Sequence, residues 1–296
     1  MNLLQGKVAI VTGSGGGLGE QYALALAGAG ARVVVNDPGS GRDGIGGTIT
    51  MADTVVKKIR DVGGEAAANY DSVATMGGAE AIFSTAMDAY GQVDILVNNA
   101  GILRDAAFHN MTEEEWDAVI AVHLKGTFCI TRLVFPHMRE RGSGVVIGIS
   151  SPTGLTGNFG QANYGAAKGG VWGLMNCLAR EGYRRGEVDP FARVFTVVPV
   201  AFTRMTADLP QFSSEEAKAQ TDPKFVAPLV VYLASDLSAG MTDKTFSVMG
   251  SRIREMRMVS SHGATKEDDG GLWSAQEISR RMSEILLADK EAASAG

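Results

Sequence analysis

The chain has 296 residues, of which 45% are hydrophobic and 20% charged, and it carries a net charge of −6. These proportions fit a globular protein with a full core and oppose both disorder and nucleic-acid binding, which needs a basic footprint. No uninterrupted apolar run approaches the roughly 18 residues of a membrane span.

The opening stretch MNLLQGKVAI lacks the basic region, apolar segment and cleavage site of a secretory signal, so a cytoplasmic protein is expected. Without a signal, Cys129 and Cys177, both in apolar helical surroundings, are expected to be buried reduced thiols. None of the histidines at 109, 123, 137 and 262 has a close cysteine or acidic partner at ligand spacing, so no metal site is expected.

In chain order the pattern alternates. KVAIVTG (7–13) is a β-branched run ending in glycine and reads as a buried strand; 18–29, rich in alanine and leucine, reads as a helix. RVVVND follows as a strand, 49–62 as a helix, EAAANYD as a weak strand, 78–90 as a helix and VDILVNNAG as a clear strand. A continuous helical region covers 112–138, opened by a Thr112-x-x-Glu115 capping box. GVVIGISS is a strand, 161–185 a helix, ARVFTVVP a strand, 223–235 a helix and 244–249 a last strand. Apolar strands separated by helices predict a doubly wound α/β fold with a parallel sheet, and a single domain over 1–256.

Residues 257–296 stand apart as an extension. Ser274-x-x-Glu277 forms a second capping box, and Ile278, Met282, Ile285 and Leu286 give one apolar helical face. That face is expected to dock on its own domain or on a neighbouring subunit, in preference to serving as a recruitment motif.

The first strand is followed by Thr12-Gly13-Ser14-Gly15-Gly16-Gly17-Leu18-Gly19 and then by a helix. Glycine allows close backbone approach, and a helix N-terminus attracts a phosphate. A glycine-rich turn alone could be merely structural. Between strand and helix, the loop predicts a dinucleotide site at Gly13, Ser14, Gly17, Leu18 and Gly19. Asp37 ends the second strand, eighteen residues past Gly19. A carboxylate there accepts from ribose hydroxyls and repels a 2′-phosphate, which favours NAD over NADP; an aspartate starting a turn before Pro38 is the plainer reading. Arg42, in the glycine-rich segment DPGSGRDGIGGT (37–48), is the residue that would weaken the NAD expectation.

Thr-Gly-x-x-x-Gly-x-Gly (12–19), Asn98-Asn99-Ala100-Gly101, Ser151 and Tyr164-x-x-x-Lys168 fall in an order that resembles the short-chain dehydrogenase/reductase family. VVNDPGSGRDGIG, VNNAGILRD, VHLKGTF and GNFGQANYGAAK resemble, within it, the (3R)-hydroxyacyl-CoA dehydrogenase domains of the peroxisomal multifunctional enzymes type 2, also described as 17β-hydroxysteroid dehydrogenase type 4. The resemblance implies NAD-dependent oxidation of a secondary alcohol on a fatty or steroid-derived acyl-CoA, in a homodimer or homotetramer. A hydroxysteroid or other small alcohol dehydrogenase that needs no CoA is the alternative; a non-catalytic dinucleotide module is the third. The hydratase and sterol-carrier domains have no counterpart in this chain, and its final SAG is not a peroxisomal address, so a free-standing cytoplasmic form is expected.

By the same resemblance, Ser151, Tyr164 and Lys168 are catalytic. Tyr164 and Lys168 lie one helical turn apart on one face, where an ammonium would lower the tyrosine from its ordinary value near ~10. An ordinary helix pair would look the same without the surrounding motifs. Tyr164 would take the hydroxyl proton, Ser151 would hold the same oxygen, and Lys168 would also bind the nicotinamide ribose. His123 replaces the family's helix asparagine and is kept as a supporting residue acting through its carbonyl, with a structural role equally open. Asn99, Ala100, Gly101, Asp71, Ser72, Pro199 and Thr203 are the remaining cofactor candidates, with Asp71 on the adenine amino group. Pro199-Val200 departs from the family's Pro-Gly. Arg42, Arg104, Lys125 and Arg204 are the cations available for CoA phosphates.

Overall fold

The structure, a computed structural model, describes residues 2–46, 48, 50–184, 188–203, 214–266 and 271–287. Its strands are β1 (Val8–Thr12), β2 (Arg32–Asn36), β3 (Ala66–Asn69), β4 (Ile95–Asn98), β5 (Val145–Ile149), β6 (Arg193–Val200), β7 (Lys244–Met249) and β8 (Arg252–Met256). Among the described residues they form one sheet in the order β3-β2-β1-β4-β5-β6-β7-β8. Strands β1 to β7 pair in parallel.

Successive residues of a strand face opposite sides of the sheet. In β1, Ala9 and Val11 enter one core cluster while Val8 and Ile10 enter the other. Helices α1 (Gly17–Gly28) and α2 (Thr50–Asp61) cover the first side with Tyr22, Leu26, Val55 and Ile59. Helices α3 (Met76–Tyr90), α5 (Gly126–Arg141) and α7 (Ala162–Glu181) cover the second with Ile82, Ile130, Val134, Val171 and Met175. Each such side chain contributes about 1.5–3 kcal/mol by burial. Chain order reverses between β1 and β4, and that is where a doubly wound sheet opens a crevice beyond its strand ends.

Helix α4 (Glu113–Ile120) begins at the expected capping box: the Glu115 N–H donates to Thr112 Oγ1 at 3.2 Å, and the Thr112 N–H to the Glu115 carboxylate at 2.9 Å. The helical region is not uniform. A π-helical turn, Ala121–Lys125, separates α4 from α5. By length and composition the run Glu113–Arg141 could cross a membrane, a reading that the uninterrupted-run criterion missed. Here Cys129, Ile130, Val134 and Met138 pack it into the core.

Short helices α6 (Thr153–Thr156) and α8 (Glu215–Gln220) flank α7 and β6 in the chain. The expected helix over 223–235 divides into a 3₁₀ turn, Pro223–Phe225, and α9 (Ala227–Ala234). Strand β8 was not expected, because RIREM has three charged residues and no apolar run. Two residues connect it to β7, too few for a parallel crossover, so it runs antiparallel. Cys129 is buried as expected, whereas Cys177 is exposed: its position on α7 faces away from the core.

The chain divides into two compact units, Met1–Arg254 and Glu255–Gly296. In the second, the expected single helix is two pieces, α10 (Ala275–Arg280) and α11 (Met282–Ile285), broken at Arg281. The Ser274–Glu277 capping box is formed.

Candidate active site

A cleft of about 560 Å³ opens at the carboxyl ends of β1, β2 and β4. Its floor is the glycine loop. Gly13 has φ +63°, and a Cβ there would stand 2.6 Å from Ala100 Cα; at Gly19 it would stand 2.2 Å from the Gly13 carbonyl oxygen. These glycines let the loop pack against the segment after β4. Gly17, at φ +57°, is different: a Cβ there would meet nothing closer than Thr203 at 3.9 Å, because that side is the cleft. The α1 N-cap is Gly16, and no side chain caps the helix start. Free amides at a helix N-terminus facing a cleft fit a phosphate group.

Asn99 fastens the loop. Its side-chain amide donates to the Thr12 and Gly13 carbonyls, both at 2.9 Å, and the Asn99 and Ala100 N–H groups donate to Thr12 Oγ1. Asp37 fastens the opposite wall by accepting from the Gly15 N–H at 2.9 Å and the Gly39 N–H at 2.7 Å. A carboxylate has about four acceptor positions, so two remain for a ligand.

A second cavity of about 470 Å³ adjoins the first and shares Leu18, Asn99, Gly101 and Thr203 with it. Ser151, Tyr164, Lys168 and His123 line it together. The Ser151 hydroxyl lies close enough to Tyr164 to favour its phenolate by hydrogen bonding. Its neighbour Ser150 instead donates to the Lys168 carbonyl at 2.8 Å, holding α7 to the end of β5. Lys168 Nζ donates to the Ile149 carbonyl at 2.6 Å and lies 5.7 Å from the Tyr164 ring centre.

Burial dominates the electrostatics. It pushes Tyr164 up to about 12, against the Ser151 hydrogen bond, which lowers it; the Asp105 charge adds to the rise. Burial also lowers Lys168 to about 7. The expected net lowering of Tyr164 by the lysine is therefore not found. The ammonium is directed to a backbone carbonyl, and desolvation of the phenolate dominates. His123 is lowered to about 3 by burial first and by Lys168 second, so it is neutral. Its Nε2 pairs with the Ile102 backbone, its ring stands edge-on to Tyr164 at 5.2 Å, and its buried Nδ1 has no partner among the described residues. Its carbonyl accepts from Thr127 Oγ1 at 2.7 Å.

Of the sequence-predicted cofactor residues, Gly13, Gly17, Leu18, Gly19, Asp37, Ser72, Asn99, Ala100, Gly101 and Thr203 line the first cleft, and Pro199 lines the second cavity. Two stand back. Ser14 is fully buried, its hydroxyl donating to the Val11 carbonyl at 2.7 Å, so it shapes the loop from behind. Asp71 accepts from Asn69 Nδ2 at 2.8 Å and is off the cleft wall. Arg42 lines the catalytic cavity, not the cleft beside Asp37, while Arg104 lines the cleft. Lys125 lines neither, and Arg204 lies outside the described residues.

Sequence reasoning missed Asp105, Asn158, Gln161 and Asn163. Three amides in the six residues before Tyr164 were the available signal.

The model of the family described as short chain dehydrogenase matches residues 7–213. The chain belongs to the short-chain dehydrogenase family. A Mycobacterium tuberculosis protein described as a short-chain type dehydrogenase/reductase is 46% identical over 282 residues, 95% of this chain and 94% of that protein. Peroxisomal multifunctional enzyme type 2 of Mus musculus is 45% identical over 260 residues, 88% of this chain but 34% of the longer enzyme. Hydroxyacyl-CoA dehydrogenase ChsB1 of Mycobacterium tuberculosis is 39% identical over 261 residues, 84% of this chain and 79% of that enzyme. As a short-chain dehydrogenase, the protein is an oxidoreductase that uses a nicotinamide dinucleotide, and the cleft above fits that group.

Proposed function

We propose that the protein oxidises (3R)-3-hydroxyacyl-CoA to 3-oxoacyl-CoA with NAD. The observation that carries this reading is one cavity wall holding Ser151, Tyr164 and Lys168 beside the glycine-loop cleft. Asp37 on the cleft wall, where Arg42 is not among the lining residues, supports NAD over NADP. The hydroxyacyl-CoA class rests on the likeness to relatives.

When bound, the dinucleotide supplies the hydride acceptor. Ser151 hydrogen-bonds the substrate oxygen and orients it. Tyr164 accepts the hydroxyl proton, so it must work as the phenolate in oxidation and as the phenol in the reverse direction. Lys168, anchored on the Ile149 carbonyl, brings positive charge to the same wall when it is protonated. Neutral His123 packs its ring against Tyr164 and fixes its position.

The test is initial-rate formation of reduced dinucleotide with NAD or NADP. Substrates are (3R)- and (3S)-3-hydroxyacyl-CoAs of several lengths and free hydroxysteroids. A preference for (3R)-acyl-CoA with NAD is expected. Turnover of free steroids alone would move the protein to the class that needs no CoA.

A further inference from the structure

The outer wall of the catalytic cavity carries a hydrogen-bonded group outside the Ser151–Tyr164–Lys168 set. Gln161, 8% exposed, is its hub. Its Nε2 donates to Asp105 Oδ2 at 2.8 Å, and its Oε1 accepts from Asn158 Nδ2 at 3.0 Å and from Thr153 Oγ1 at 3.1 Å. The backbone reinforces the join: the Ala106 N–H donates to the Gly160 carbonyl at 2.9 Å. Asp105, Asn158 and Gln161 all line the cavity that Tyr164 lines.

With the amide of Gln161 fixed this way, the free capacity of the group is mostly acceptor. Asp105 offers carboxylate lone pairs beyond the one that Gln161 takes, and Asn158 offers its carbonyl oxygen. The carboxylate is close enough to Tyr164 to act on its ionisation. Among the described residues, the other charged or titratable groups on this cavity are Arg42 from the 37–48 segment, Lys168 from α7 and His123 from the π-helical turn, the last held neutral.

We propose that Asp105, held by Gln161, is a specificity-determining residue that accepts a neutral hydrogen-bond donor from the substrate, such as the secondary amide N–H of a thioester arm, and turns away the carboxylate of the corresponding free acid. The proposal rests on the hydroxyacyl-thioester reading and deepens it. A thioester is uncharged beside the reacting carbon, and one with a cysteamine-type arm carries an amide donor further along it. The free 3-hydroxy acid places a negative charge against Asp105. A like charge at close range in a partly desolvated cavity is strongly disfavoured.

The test compares kcat/KM for the N-acetylcysteamine thioester of (3R)-3-hydroxybutyrate, its S-methyl thioester and the free acid, in wild type, Asp105→Asn and Asp105→Ser. Asparagine keeps an acceptor for Gln161 and removes the charge; serine removes the charge and draws its shorter acceptor back from Gln161. In wild type the amide-bearing thioester is expected to be best and the acid worst. Both variants are expected to raise the acid relative to the thioesters by about tenfold or more. A merely structural role would lower all three rates together. The proposal is overturned if wild type uses the acid as well as the thioesters, which would mean that Arg42 and Lys168 govern the cavity, or if the ratio stays within about twofold in both variants. If wild type turns over no 3-hydroxyacyl compound, the functional reading fails separately. The proposal is then judged, by the same ratio, on a hydroxysteroid carboxylic acid and its N-methylamide.

Discussion

The side-chain amide of Asn163 donates to the main-chain carbonyl of Arg104 at 2.8 Å, joining the first turn of α7 to the segment that leaves β4. The same amide donates to the Glu115 carbonyl at 3.1 Å, and its oxygen accepts from the Tyr164 N–H at 2.7 Å. Arg104 in turn donates from Nε to the Asp43 carbonyl at 2.9 Å. Asn163 is completely buried. It therefore fixes the tyrosine's backbone from two sides and ties it to the loop that borders the cleft. Asn163→Ala leaves buried carbonyls without donors, at a cost of about 1–3 kcal/mol. It should lower kcat by about 10- to 100-fold with KM little changed, since displacing a reacting group costs rate more than affinity. Thermal melts beside steady-state kinetics separate the two effects.

Ser151→Ala removes the hydrogen bond that lowers Tyr164. The tyrosine then moves further up, less phenolate exists at any pH, and the rising limb of the oxidation rate shifts to higher pH. The loss near neutral pH should be about 10²- to 10⁴-fold, and Tyr164→Phe should abolish the limb. A pH–rate profile of both variants checks this.

Burial of Lys168 works against the fold. Its value falls to about 7 from 10.5. The unfolded chain therefore binds the proton more readily, and stability present above about pH 10.4 is lost as pH falls toward 7. Lys168→Met should end turnover yet melt higher than wild type near pH 7. The gain should shrink above about pH 10, where the lysine is neutral in both states. A variant that melts lower across the whole range would count against this account.

Asp37→Asn should raise the NADP-to-NAD ratio of kcat/KM by about tenfold, because the charge that opposes a 2′-phosphate is gone. Asparagine has one side-chain acceptor oxygen for the Gly15 and Gly39 amides, so a loss of about 1 kcal/mol in stability should accompany the switch. Kinetics with both dinucleotides and a denaturation curve measure the two effects.

Gly101 sits where a Cβ would lie 2.2 Å from His123 Cε1. Gly101→Ala should push the imidazole toward Tyr164, costing about 1–3 kcal/mol and weakening dinucleotide binding. Gly28, at the exposed end of α1, has nothing within 4 Å of such an atom, and its alanine variant should be neutral or slightly stabilising. Titration calorimetry and melting of the two variants provide the contrast.

Strands β1, β2, β4 and β5 were legible because each is a short apolar run, as a strand buried on both faces must be. The glycine loop was legible because phosphate approach restricts residue choice locally. Strand β8 was hidden because an exposed edge strand needs no apolar pattern. Asn163 and Gln161 were hidden for another reason: their partners lie 59 and 56 residues away, and nothing in an asparagine or glutamine announces a distant carbonyl or carboxylate. The burial of Ser14 and the internal bonding of Asp37 depend on how the loop folds back, which residue type does not encode. The tail's apolar spacing was read as one helix because periodicity is insensitive to a single break, here at Arg281.

The π-helical turn at Ala121–Lys125 lets one long helical run answer two masters. Each residue advances an α-helix by about 100°, and a wider turn resets the phase of everything beyond it. Upstream, Val119 packs in the small cluster with Ile102 and Ala167 beside the catalytic helix. Downstream, Cys129, Ile130, Val134 and Met138 keep to the large core. Removing one residue from the turn would restore a uniform helix and rotate one half out of alignment, so that either the imidazole of His123 or the sheet-facing stripe of α5 would turn away from its place.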